Sequence, residues 1–331
     1  YRDSINLWSD MQEPLIIEED NVTPSQPVFV GGTIYYSAPV YGPHDYELID
    51  KITYFGDVYI KEDTVWSNKI VRIVAGNLTI CDGASLTLTN SIIIMDPDRL
   101  PIPAGGYFTQ VNKTARLIVW NSNITSAGNV LCYNIRIHGH SNFTQTLITG
   151  FYPTVDGIIL DSLDSQASLY MSYVRIDRGG DSAVNILDGY AKINNLTIIT
   201  DFSNTQRNYG IKINGGDVEI CNSTIYFSKT AGIYINSNEK FIISKCRVNY
   251  NGEYGIQIMN SHPVVGELSK IEAKYNGRKP WEYTMGTGVY IEQSSNIEIN
   301  SGNFSWNGIG GDWMGIFSST GIKIYASHNI C

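Results

Sequence analysis

The chain has 331 residues, 43% of them apolar, and a formal net charge of −9. That is enough to bury one large core or two ordinary ones, and no window approaches the 18 consecutive apolar residues that mark a membrane-spanning helix. No basic stripe is present to match a phosphate backbone, so no nucleic-acid partner is expected.

Residues 1–57 hold ten acids against two bases, and therefore carry −8 of the net charge. They have little period and contain Pro14, Pro24, Pro27, Pro39 and Pro43, which reads as an irregular N-terminal cap or docking arm. The opening Tyr1-Arg-Asp-Ser lacks the charged-then-apolar layout of a signal peptide, so any export signal is expected to have been removed or never to have existed.

From residue 58 onward the pattern changes to a repeat. A small residue followed by apolar, any, apolar occurs at Gly157-Ile-Ile-Leu, Ala183-Val-Asn-Ile, Gly210-Ile-Lys-Ile, Gly232-Ile-Tyr-Ile, Gly255-Ile-Gln-Ile, Gly288-Val-Tyr-Ile and Gly321-Ile-Lys-Ile, at steps of 22 to 33 residues. A second phrase lies between them: Met171-Ser-Tyr-Val-Arg-Ile, Ile193-Asn-Asn-Leu-Thr-Ile, Ile220-Cys-Asn-Ser-Thr-Ile, Ile243-Ser-Lys-Cys-Arg-Val and Leu268-Ser-Lys-Ile-Glu-Ala, with Leu88-Thr-Asn-Ser and Val119-Trp-Asn-Ser toward the N-terminus. Apolar residues alternate with a period of two for three to six residues at a time, which is strand and not helix. Rungs of about 25 residues, each made of short strands and turns, predict an all-β parallel β-helix of about 10–11 rungs over 58–331. Loop insertions are expected near 96–115, 277–287 and 308–320.

Equivalent positions should then form columns. Phe227, Tyr250, Tyr275 and Trp306 are expected to stack as an aromatic ladder, Asn251, Asn276 and Asn307 to form a hydrogen-bonded ladder, and Gly252, Gly277 and Gly308 to supply positive φ at the turn. The Gly-Ile-x-Ile and Ile-x-Asn-Ser/Leu-x-Ile phrases, with Tyr-Asn-Gly between them, resemble the single-stranded right-handed parallel β-helix repeat. Pectin-active enzymes, periplasmic copper-processing proteins, phage tailspikes and many microbial surface proteins share that repeat. The chain also resembles, less specifically, archaeal surface-layer and sheath proteins. The resemblance covers about residues 58–331 and implies a fold much more than a function.

Polygalacturonase-like enzymes on such a fold imply Asn-Thr-Asp, Asp-Asp and Gly-His-Gly motifs; here the first two are absent and Gly139-His140-Ser141 is a damaged form of the third. Glycosidase chemistry needs two carboxylates roughly 5–10 Å apart. Asp156, Asp161 and Asp164, or Asp177 and Asp181, are the candidates, although each lies beside a turn, where Asp commonly bonds the backbone. Arg175 and Arg178 near Asp177 and Asp181 offer a lyase base, without the lyase signatures. Structural calcium at Glu18-Glu19-Asp20 or at Asp96/Asp98 is the one cofactor the acids allow, and solvated loop charge is the plainer reading. His138 and His140, expected to alternate along one strand, have no third metal ligand, so no metal site is assigned.

Five cysteines, Cys81, Cys132, Cys221, Cys246 and Cys331, lack zinc spacing, and their odd number leaves one free or paired with another chain. Eight Asn-x-Ser/Thr triplets stand at Asn21, Asn77, Asn112, Asn123, Asn142, Asn195, Asn222 and Asn303, part of them a product of the repeat. Together with only 17% charged residues, they suit an extracellular, N-glycosylated protein at the cell surface. The last rung stops at Cys331 without a capping segment, which fits truncation or a covering subunit. The sequence thus points to a structural subunit of a cell-surface layer, sheath or filament that associates with itself, with Cys331 as an intersubunit disulfide candidate. The alternatives are a polysaccharide-active or tailspike-like enzyme, and a carbohydrate-binding adhesin using Trp281, Tyr283 and Trp313.

Overall fold

A computed structural model describes residues 50–97, 106–127, 132–162, 166–177, 180–199, 209–277, 286–305, 307, 320–325 and 327–330, together with the backbone of the antiparallel strands Val28–Val30 and Thr33–Tyr35. The chain divides into a unit of residues 1–41, which holds that antiparallel pair, and a unit of residues 42–331.

The second unit is a solenoid with three faces. Its first face is an eleven-stranded parallel sheet running from Val58–Ile60 through Leu78–Ile80, Tyr107–Val111 and Tyr133–Ile137 to Thr320–Tyr325. The Gly-Ile-x-Ile phrases are its strands: Ile211 pairs with Ile233, Ile233 with Ile256, and Ile256 with Val289. The second face runs from Thr64–Ser67 through Ser85–Thr89, Arg116–Trp120 and onward to His328–Ile330. The third includes Lys69–Val74, Ile92–Asp96, Asn123–Ser126 and Arg247–Asn249. Continuous strands such as His140–Thr149 and Ser168–Asp177 run through the corner from the second face to the third.

Alternation on the pleat puts one column of apolar residues inside and its neighbours outside. Ile211, Ile213, Ile220 and Ile225 all point inward and are buried, as expected. Parallel pairing begins before residue 58, however: Asp50–Phe55 lies in register on Lys69–Val74, inside the segment expected to be an irregular cap. Its alternation is masked in sequence by the acids around it. The insertion expected at 96–115 also shrinks, because Asp96 closes a third-face strand and Tyr107–Val111 is a first-face strand. The interiors of the other two expected insertions lie outside the described residues.

Corners complete the account of the repeat. Between the second and third faces, one residue per rung takes a left-handed conformation: Asn68, Asn90, Asn121, Gln145, Tyr173, Asn195, Asn222, Lys245, Lys270 and Ser301. This is the third residue of the second phrase, and Asn recurs there because it tolerates positive φ better than other side chains. The residue after it turns inward, where Ser91 and Ser122 form a ladder in which the Ser91 amide donates to Ser122 Oγ at 3.0 Å. At the opposite corner, Asn251 and Asn276 are buried, and each receives the amide of the rung before: Ser228 N donates to Asn251 Oδ1 at 2.9 Å, and Asn251 N to Asn276 Oδ1 at 2.9 Å. Asn276 N in turn donates to Asn307 Oδ1 at 3.0 Å. The glycine that opens Gly-Ile-x-Ile makes room for this ladder: a Cβ at Gly232 would stand 2.2 Å from Val248 Cγ1 and 2.7 Å from Asn251 Nδ2.

Tyr250 and Tyr275 stack with ring centroids 4.9 Å apart, and Phe227 lies 6.2 Å from Tyr250. The expectation that glycines supply the positive φ of this turn is corrected in part. Phe227, Tyr250 and Tyr275 themselves are left-handed, whereas Gly252 has no positive φ and is required because a Cβ would lie 1.8 Å from the Lys229 carbonyl oxygen. Only Gly277, at φ 90°, fits the expected role; Trp306 and Gly308 lie outside the described residues.

Candidate functional site

The acids singled out in the sequence are divided among separate faces. Asp156 precedes a first-face strand, and both its oxygens are engaged, by Ser182 Oγ at 2.5 Å and Asn185 Nδ2 at 2.6 Å. Asp177 lies on the third face, where Arg175 Nε donates to both oxygens at 2.9 Å. Asp161 follows the first face, and its carbonyl lies 2.9 Å from His138 Nδ1; Asp181 precedes the next first-face strand, where its carbonyl accepts the Tyr209 amide. Asp96 is buried against Arg72, which makes it an ion-pair partner. Asp164, Arg178, Asp98 and Glu18, Glu19 and Asp20 lie outside the described residues. Among the described residues, no group of three or more His, Cys, Asp or Glu stands close enough to hold a metal ion.

His138 and His140 do not share a strand, contrary to the alternation read from their spacing. Gly139 turns the corner between them: its Cβ would lie 2.2 Å from the Asn112 carbonyl, so the chain bends where a strand would continue. His138 ends the first face, and His140 opens the second with Nδ1 2.9 Å from Ser168 Oγ. Around His140 the second face carries an open groove of about 550 Å³, lined by Arg116, Ile118, Asn142, Ser168, Tyr170 and Tyr190 among others. Arg116 and His140 are neighbours on adjacent rungs, as are Ile118, Asn142 and Tyr170.

A second surface feature was not anticipated. On the C-terminal half of the first face, outward tyrosines pair across rungs: Tyr209 with Tyr234 and Tyr254 with Tyr290, each at 5.0 Å. Lys212 Nζ lies 5.7 Å from the Tyr209 ring centre and Lys323 Nζ 5.5 Å from that of Tyr290. Burial, together with the carboxylate of Glu292 that accepts its hydrogen bond, pushes the Tyr290 phenol up to about 12. In the sequence the signal is Tyr209, Tyr254 and the two Gly-x-Tyr-Ile phrases, whose alternation by itself marks only a strand.

The sequons fall into distinct environments. Asn77 Nδ2 donates to Asp57 Oδ1 at 3.0 Å while its own Oδ1 accepts the Phe108 amide at 3.0 Å, and Asn123 Oδ1 is buried. Asn195 and Asn222 are corner residues, and Asn222 Nδ2 donates to Asn194 Oδ1. Asn112 Oδ1 accepts from Gln110. Asn142 and Asn303 are exposed, and in both the sequon hydroxyl donates to the asparagine Oδ1, from Thr144 at 3.2 Å and from Ser305 at 2.8 Å. Asn21, Trp281, Tyr283, Trp313 and Cys331 lie outside the described residues. Cys81, Cys132, Cys221 and Cys246 are free thiols, and burial pushes Cys132 and Cys246 up to about 12, which leaves them unreactive.

Residues 156–330 match the family model described as a right-handed beta helix region. Among solved structures, the A-module of the Azotobacter vinelandii mannuronan C-5 epimerase AlgE4 is 11% identical with a TM-score of 0.36, and that of AlgE6 is 13% identical with a TM-score of 0.27. Each comparison covers 83% of this chain and 88% of the other. No curated protein matches the chain. Neither structural likeness is close enough to transfer a chemistry or a residue role.

Proposed function

Because the chain belongs to the right-handed β-helix family, whose repeat fixes a scaffold and leaves chemistry to added residues, we propose that it is a structural subunit of an extracellular assembly. In this reading β-helix protomers associate with one another in a cell-surface layer, sheath or filament, and their surfaces carry N-linked glycans. One observation carries it: the polar groups that the repeat places in register are spent on holding rung to rung. Asn276 alone joins three rungs, and Asp156 and Asp177 are tied to their own neighbours. Sedimentation of native material with and without reductant tests the reading. Large species are expected; a monomer insensitive to reductant overturns it.

A second reading, carbohydrate binding, draws on the tyrosine strip of the first face. Paired rings at 5.0 Å with lysines beside them form a platform for sugar rings. Glycan-array binding lost in Tyr234→Ala and Tyr290→Ala, with folding intact, favours it. Hydrolysis or lyase turnover abolished by Asp177→Asn or Asp181→Asn would instead mark the chain as an enzyme.

A further inference from the structure

The lining of the groove on the second face includes a sequon asparagine, Asn142. Asn142 lies between Ile118 on one rung and Tyr170 on the next, with both of those side chains exposed. Its Oδ1 is engaged by Thr144 Oγ1 of the same triplet, and among the described residues its Nδ2 donates to nothing. Asn77 and Asn222 differ, since their Nδ2 groups hold neighbouring rungs together. A sugar on Asn142 would emerge between an aromatic ring and an aliphatic side chain, with Arg116 and His140 alongside as donors to its oxygens.

We propose that Asn142 carries an N-linked glycan whose first sugars lie in this groove, against Tyr170 and Ile118. The donor is an oligosaccharide linked to a lipid pyrophosphate. The Asn142 Nδ2 forms a bond to the anomeric carbon, the bond from that carbon to the pyrophosphate oxygen breaks, the lipid pyrophosphate leaves with the electron pair, and Nδ2 gives up one of its two protons. Three rung spacings, about 14 Å, separate Arg116 from Tyr190, so the groove accepts a chain running along the solenoid axis. The glycan covers apolar surface that would otherwise face water and leaves every inter-rung bond intact. Asn303, exposed and with its sequon hydroxyl bonded to Oδ1 in the same way, serves as the comparison.

The inference rests on the extracellular reading, and glycopeptide mapping of native material separates the two. Occupancy at Asn142 is expected. Asn142 bare while Asn222 or Asn303 is modified overturns this inference alone; every sequon bare overturns the glycoprotein reading with it. Thr144→Ser should retain the modification and Thr144→Ala abolish it, both with an unchanged fold, because Thr144 is only partly buried and its hydroxyl bonds the exposed Asn142. Hydroxyl-radical footprinting then tests the seating. Enzymatic removal of the glycan should raise oxidation of Tyr170, and of Trp120 beside Thr144, severalfold. An occupied Asn142 with unchanged oxidation of both rings contradicts the seating.

Discussion

Two corners of the solenoid solve the same problem by different means. Between the second and third faces, each rung turns on a single left-handed residue, and positions from Asn68 to Ser301 show that Asn, Gln, Tyr, Lys and Ser all serve. Between the third and first faces, left-handed Tyr250 and Tyr275 are followed by buried Asn251 and Asn276, joined by side-chain bonds from one asparagine to the next. Both corners carry left-handed residues and side-chain bonds between rungs, but the left-handed position of the first is at least partly exposed and varied, whereas the second depends on buried asparagine side chains whose loss leaves several groups unpaired.

That contrast sets the size of the expected effects. Asn276→Ala should be the most damaging change, because it removes the acceptor of the Asn251 amide and the donor to the Val248 carbonyl in a buried site. With each orphaned group costing about 1–3 kcal/mol, a loss of about 3 kcal/mol or more in denaturant unfolding is expected. Gly232→Ala should cost about 1–3 kcal/mol by overpacking, and adding Val248→Ala should recover part of it in a double-mutant cycle. At the first corner, Asn222→Lys should cost about 1 kcal/mol or less, because Lys245 and Lys270 already occupy equivalent positions. A loss at Asn222 as large as at Asn276 would erase the distinction between the corners.

The smallest effect is electrostatic. Burial raises the Glu272 pKa, but hydrogen bonds from Asn249 and Lys274 and the charges of Lys274 and Arg247 outweigh it and leave the value lowered from 4.5. A depressed carboxylate contributes stability above its unfolded value and loses it as pH falls through the folded one. Glu272→Gln should therefore weaken the chain at neutral pH and flatten the fall in stability below about pH 4.5, as read from unfolding midpoints across pH.

The repeat itself was legible because a period of two, recurring every 22 to 33 residues, has no helical interpretation. Stacked Tyr250 and Tyr275 and the asparagine ladder followed from the same columns. The left-handed conformation of those tyrosines did not, because propensity opposes it and only the packing between rungs compensates. His138 and His140 misled for a related reason: alternation presumes a strand, and Gly139 breaks it by close approach to the Asn112 carbonyl. The tyrosine strip and the groove at His140 arise from residues many positions apart that only the register brings together.

Cryo-microscopy of the native material tests the central claim most directly. The account predicts β-helices packed in ordered layers, sheaths or filaments, with glycan density on their faces. Single, unassociated solenoids that turn over a polysaccharide would contradict it.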